Sequence, residues 1–289
     1  MFNQLKTVLL LGVLSAGLVG LGSFLGTGAM VITAVIAVAM NIGAYFYSDR
    51  IVLRMSRAEE IDERRAPGLY AMTRELAANA EIPMPRLYII DEPQPNAFAT
   101  GRNPEHGVVA VTTGILRLLS ERELRGVIAH ELAHIKNRDI LIASIAAAVS
   151  TAISFMANAL QFGALFGMGG HSDDDDGASP LAGLALAFIA PIAASLVQLG
   201  ISRSREFIAD ETGARISGDP EGLALALERL HVGTSRIPAH VEPATASLYI
   251  ANPLTGGGMS KLFSTHPDMG ERIARLRSMR PSQPLRRAG

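Results

Sequence analysis

The stretch Ser120-Glu121-Arg122-Glu123, followed by His130-Glu131-Leu132-Ala133-His134 and by an apolar run opening at Ile140, decides how this chain folds. Ser-x-x-Glu is the form of a helix amino-terminal capping box, in which both ends supply partners for free backbone N–H groups, so a helix is expected from Ser120. Residues four apart on a helix share a face, so the imidazoles of His130 and His134 can reach one Zn2+ ion while Glu131 addresses the water bound to it. At the His and Glu frequencies of this chain, chance produces the pattern only about 0.01 times. No Gly or Pro follows Gly126 before the apolar run. The helix is therefore expected to continue unbroken into it.

A catalytic zinc needs a third protein ligand and an open fourth position. The chain has no Cys, so disulfides and thiolate sites are excluded and the metal must be held by His and carboxylates. The candidate is Glu206 in Ser202-Arg203-Ser204-Arg205-Glu206-Phe207-Ile208-Ala209-Asp210. Glu206 and Asp210, four apart, face the same way on a helix, which makes Glu206 the ligand and Asp210 the acceptor that orients a zinc-bound imidazole. An exposed acidic pair answering Arg203 and Arg205 is the competing reading, and which imidazole meets Asp210 stays open.

Only 18% of the 289 residues are charged, against roughly 25% in soluble domains. The deficit is local: Thr7 to Ser48, Ile140 to Gly170 and Gly177 to Ser202 contain no Asp, Glu, Lys, Arg or His. At about 1.5 Å per helical residue, the first stretch crosses a hydrocarbon core of roughly 30 Å twice and the others once each. Four transmembrane helices are expected, near Val8 to Leu25, Ala29 to Tyr47, Ile140 to Gly163 and Leu181 to Ile201, with Pro191 a kink. The first pair turns at Gly26-Thr27-Gly28, and Gly22 with Gly26 forms a small-xxx-small pattern for close helix approach. A second apolar run directly after the first argues for a hairpin rather than a cleaved signal peptide.

Lys6 lies at the amino terminus, and the other Lys and Arg residues fall between Arg50 and Arg138 or between Arg203 and Arg287. Positive charge retained inside then places both termini and both polar segments in the cytoplasm. Asp173 to Asp176 reads as a solvated loop. A net charge of −1 gives no reason to expect nucleic-acid binding. The expected organisation is a transmembrane hairpin over 1–48, a cytoplasmic segment with the zinc-binding helix over 49–139, a second hairpin over 140–201 and a cytoplasmic segment with the third ligand over 202–289. The fold class is α+β and mainly helical, four transmembrane helices carrying a cytoplasmic zincin-like domain with a small β-sheet.

Within the first polar segment, Leu69, Met72 and Leu76 recur at helical spacing. Arg86 to Ile90 and Gly107 to Thr112 read as strands, and Asn96-Ala97-Phe98-Ala99 between them reads as either an ordinary loop or an edge strand. Two helices pairing as an antiparallel hairpin would bring His134 and Glu206 together at one membrane face.

With these motifs in hand, the chain closely resembles the HtpX family of bacterial membrane metalloproteases, gluzincins related to the CAAX prenyl proteases. The resemblance rests on His130-Glu131-Leu132-Ala133-His134 and Ser202-Arg203-x-x-Glu206-x-x-Ala209-Asp210, between two apolar hairpins. It implies zinc on His130, His134 and Glu206, Glu131 as general base, an inner-membrane location and quality control of misfolded membrane proteins under stress. It further implies that Asn96, Ala97, Phe98 and Ala99 form an edge strand that pairs with an extended substrate, with Asn96 bonding its main chain. Phe98 as a core residue is the alternative. His266-Pro267 followed by Arg272-Ile273 resembles the family's carboxy-terminal signature. There His266 is either an oxyanion donor or a loop histidine, and Arg203 either contacts substrate or neutralises the acidic cluster.

A membrane adaptor with a structural zinc is the main competing function, but it leaves Glu131 without a purpose. A transporter is disfavoured because the apolar stretches carry no ionisable group. Partners are then membrane-protein or peptide substrates and the lipid bilayer, with the oligomeric state open.

Overall fold

The computed structural model describes residues 2–24, 26–147, 149, 203–237, 245–253 and 267–279. The remainder of the expected second hairpin, the run Asp173 to Asp176 and His266 lie outside the described residues.

The first apolar stretch forms α1 (Phe2–Phe24) and α2 (Thr27–Met55). They are separated at Gly26, whose φ of 104° is a backbone state open to glycine and closed to most residues. A Cβ on Gly22 would collide with the Thr33 side chain, so α1 and α2 meet at the small residue. Asn41 Nδ2 also donates to Ser15 Oγ at 2.8 Å across the pair. Among the described residues, α2 is the one helix long and apolar enough to cross a membrane, and Val31, Ile32, Val35 and Val38 on it are exposed. It runs past the expected end at Tyr47 to Met55, because its last turns gain a second docking surface: Val52 and Leu53 are buried.

That surface is a four-stranded sheet of β1 (Glu59–Glu60), β2 (Arg86–Ile90), β3 (Ala97–Thr100) and β4 (Val108–Thr112). The order is β1-β2-β4-β3, with β2 and β4 parallel and both outer strands antiparallel to their neighbours. The two strands read from sequence form, and β3 takes the edge position that the family resemblance implies rather than a loop. Side chains alternate between the faces of a strand. Leu87, Ala97, Ala99, Val109 and Val111 enter the main core. Tyr88, Ile90, Phe98, Val108 and Ala110 face the other way, where Val52, Leu53, Ala147 and Tyr249 cover them. Burial of an aliphatic side chain such as Val52 or Leu53 contributes roughly 1.5–3 kcal/mol, enough to fasten the apolar helix to the sheet.

The main core is built round α5 (Glu121–Lys136), with α3 (Pro67–Asn79) and the short α4 (Thr113–Leu118) before it. In α3, Leu69, Met72 and Leu76 are buried as their spacing requires. The capping box opens α5, with the Ser120 N–H donating to Glu123 Oε2 at 2.8 Å. Three helices complete the core: α6 (Arg203–Ser217), α7 (Pro220–Arg236) and α8 (Met269–Ser278).

One expectation fails here: α5 does not run on into the apolar stretch. It stops at Lys136 with Asn137 as C-cap, and Arg138 takes φ 58°. The Arg138 N–H donates to Ile135 O and the Asp139 N–H to His134 O, each at 3.1 Å. These two bonds define a Schellman motif, with Arg138 at the position glycine usually fills. A non-glycine residue there costs about 1 kcal/mol. Helical backbone resumes over 140–147.

Candidate metal centre

α6 lies against α5 at Gly213, where a Cβ would come within 2.9 Å of the His130 backbone. Any side chain at 213 would push the helices apart. Asp210 and Glu206 stand one and two turns before Gly213 on the same face, and this contact delivers them to the two imidazoles.

The His130 and His134 Nε2 atoms are 3.1 Å apart. Glu206 places Oε2 3.7 Å from His130 Nε2 and Oε1 3.6 Å from His134 Nε2. Tetrahedral zinc with ligands at about 2.0–2.2 Å sets its donors about 3.3–3.6 Å apart, so the triangle has the size such an ion requires. The donor set of two imidazoles and one carboxylate also suits zinc, and the three groups could hold one ion together. His130, Glu131 and Glu206 are buried and His134 is partly exposed, so the centre opens to one side.

Each imidazole has a carboxylate behind it. His134 Nδ1 is hydrogen bonded to Asp139 Oδ2 at 3.0 Å. His130 Nδ1 lies 3.0 Å from Asp210 Oδ1. This answers which histidine meets Asp210: it is His130. Asp210 is in turn clamped by Arg272, whose Nε donates to Oδ2 at 2.8 Å and Nη2 to Oδ1 at 2.7 Å. Arg272 has no exposed surface; it also donates through Nη1 to Ile250 O at 3.1 Å and pairs with Glu206 Oε2 at 3.4 Å.

Electrostatics follow from this packing. Burial pushes the Glu131 carboxyl up to about 7, helped by Glu206 and opposed by His134, Arg272 and the Ala99 N–H. A carboxyl so placed can take and return a proton near neutral pH. Burial works against a charged His134, but the hydrogen bond it donates to Asp139 and the charges of Glu206, Asp139 and Glu131 outweigh it and raise the ring to about 9. Burial lowers His130, with His134 and Arg272 adding to the effect against Asp210. Burial would raise Asp210, yet Arg272 and His130 hold it well below the usual carboxylate range.

The expected substrate strand is at the edge of the sheet, but much of its outer side is engaged within the chain. The Ala99 N–H bonds Glu131, and Ala97 O accepts from the Ile250 N–H at 3.0 Å. Asn96 Nδ2 donates to Ala251 O at 2.7 Å while its Oδ1 accepts from the Ala251 N–H at 3.2 Å. The Asn96 amide thus bonds the chain's own backbone. Phe98 is fully buried, edge-on to the Tyr249 ring at 5.1 Å, which makes it a core residue. Arg203 begins α6, and its side chain, like His266, lies outside the described residues.

Asp139 is absent from the sequence-based expectations, and Arg272 enters them only within the carboxy-terminal signature, with no role at the centre. Asp139 immediately precedes an apolar helix and reads as a simple cap. Arg272 stands four residues before buried Leu276 on α8, and a charge at an inward-facing helical position is the signal that could have found it.

Two imidazoles four apart on one helix, a carboxylate from a second helix and a glutamate between the imidazoles define the class: a metalloprotease. The chain belongs to peptidase family M48, whose sequence profile matches residues 63–280. It is 54% identical over 283 residues to the "Protease HtpX homolog" of Burkholderia thailandensis, covering 96% of this chain and 98% of that one. The protein of the same name from Burkholderia mallei matches to the same extent. The fold is also similar to the crystal structure of S. mikatae Ste24p, with a TM-score of 0.53 at 16% identity. That likeness covers 95% of this chain and 65% of Ste24p.

Proposed function

We propose that this protein is a zinc-dependent endopeptidase of the bacterial inner membrane that cleaves cytoplasmic or membrane-proximal segments of misfolded membrane proteins. The observation that carries the chemistry is the triangle of His130, His134 and Glu206 with buried Glu131 beside it. Zinc held there would supply Lewis-acid polarisation of the scissile carbonyl and acidification of water. Glu131 takes the proton of the attacking water and afterwards delivers it to the leaving amine. Asp210 and Arg272 hold His130 in place, and the raised affinity of Glu131 for a proton suits both transfers.

The membrane placement is supported by the apolar, outward-facing surface of α2 and by the distribution of Lys and Arg. The catalytic body joins α2 at its Arg50 and Arg54 end, where retained positive charge favours the cytoplasmic side. His266 is assigned as the oxyanion donor and Arg203 as a substrate contact, and β3 as the strand that receives substrate once Ile250 and Ala251 release its outer groups.

The test is cleavage of a purified membrane-protein substrate in detergent or liposomes. Glu131→Gln should keep stoichiometric zinc and lose cleavage by about 10³-fold or more. Wild-type turnover in that variant would remove the assigned base. Product ends far from any membrane boundary would remove the substrate assignment.

A further inference from the structure

The Schellman motif that ends α5 normally brings a hydrophobic pair together, the residue at its C″ position against the one at C3. In this chain those positions are Asp139 and His134, and the pair is polar. Asp139 is joined to His134 twice: its N–H donates to His134 O at 3.1 Å, and its Oδ2 bonds the His134 Nδ1 at 3.0 Å. Asp139 is 4% exposed, too buried for a solvated cap, and its Oδ1 has no hydrogen-bond partner among the described residues. Arg138 sits in the left-handed region, where glycine would be unstrained. A backbone stop of this kind, made without glycine and closed by a buried carboxylate on a ring, is poorly explained as a helix terminator alone.

We propose that Asp139 is the positioning residue for His134, and that the turn ending α5 exists to swing its carboxylate back onto that ring. A carboxylate accepting from Nδ1–H leaves the lone pair on Nε2, which points to His130 Nε2 and Glu206 across the centre. The two imidazoles are then oriented by different means. Asp210 reaches His130 from another helix and is itself held by Arg272, whereas Asp139 reaches His134 from five residues along the same chain. Asp139 also stands where helical backbone restarts at Ile140, so the orientation of one ligand is tied to the first turn of the following apolar helix.

The inference rests on the metal assignment above, and the full-length protein in detergent tests the two separately. Zinc affinity is measured by competition with a chromophoric chelator, and Co2+ substitution reports ligand geometry by its visible spectrum. Asp139→Asn and Asp139→Ala should weaken zinc binding 10- to 100-fold and alter the Co2+ bands. Arg138→Gly should raise the melting temperature of the metal-free protein and leave zinc affinity unchanged. The double variant Arg138→Gly with Asp139→Asn should regain stability but not affinity. Zinc affinity of the Asp139 variants within twofold of wild type, or restored by Arg138→Gly, overturns the positioning role. Glu206→Ala is the control for the metal assignment: if that variant binds zinc as wild type does, the centre itself is wrong, and the positioning role goes with it.

Discussion

His130 and His134 are four residues apart on one helix, yet the protein holds them differently. His130 is wholly buried, lies against the backbone at Gly213, and has behind it an aspartate clamped by an arginine from α8. His134 is partly exposed and is bonded by a residue five positions along the chain. Proton affinity divides the same way, His130 below the ordinary imidazole value and His134 above it. One imidazole depends on the assembled core, the other on a local turn.

The sharpest way to break this contrast is Arg272→Met. It leaves Asp210 buried without its clamp, and removal of one partner from a buried pair costs about 3–5 kcal/mol. Unfolding should shift by that amount in chemical denaturation, and His130 should become the weaker ligand in Co2+ spectra. Gly213→Ala comes next. The new methyl would stand 2.9 Å from the His130 backbone, and overpacking costs about 1–3 kcal/mol. Zinc affinity should fall with stability, because Asp210 and Glu206 move with α6.

The third prediction concerns pH in the metal-free protein. The folded-state value of His134, about 9, lies above the 6.5 of a free imidazole. Its contribution to stability is therefore full below 6.5 and lost as pH rises through about 9. Zinc must displace that proton, so affinity should climb over the same range. Calorimetry in buffers of different ionisation enthalpy should record proton release at pH 7 to 8, and its absence would mean that His134 is already neutral.

The smallest expected effect lies away from the centre. Asp219 caps α7 through the Gly222 N–H and pairs with Arg122. The Arg122 hydrogen bond leads in lowering its carboxyl value, against burial. Its contribution is present above the ordinary 3.8 and lost as pH falls through the lowered value. Asp219→Ala should cost about 1 kcal/mol and leave both imidazoles untouched.

Local signals were readable in advance. The capping box marks the start of α5, β-branched runs mark β2 and β4, and the spacing of His130, His134, Glu206 and Asp210 marks the groups that gather at the candidate centre. What stayed hidden depends on distance or on an unusual residue. Arg272 meets Asp210 across 62 positions, which no periodicity reports. The break after Lys136 uses Arg138 where a glycine would have announced it, so an apparently unbroken helix pattern concealed both the turn and Asp139. The internal use of Asn96 by Ala251 likewise depends on a segment 155 residues away.

The length of α2 has one further consequence. Its 29 residues span about 43 Å at 1.5 Å each, while a hydrocarbon core takes up about 30 Å. In the proposed membrane placement, the surplus makes a rigid pedestal whose upper end is seated on the sheet through Val52 and Leu53. The cutting centre then stands at a fixed altitude over the lipid. Candidate chains would be sorted first by whether a loosened stretch can climb that far, before any side chain is read.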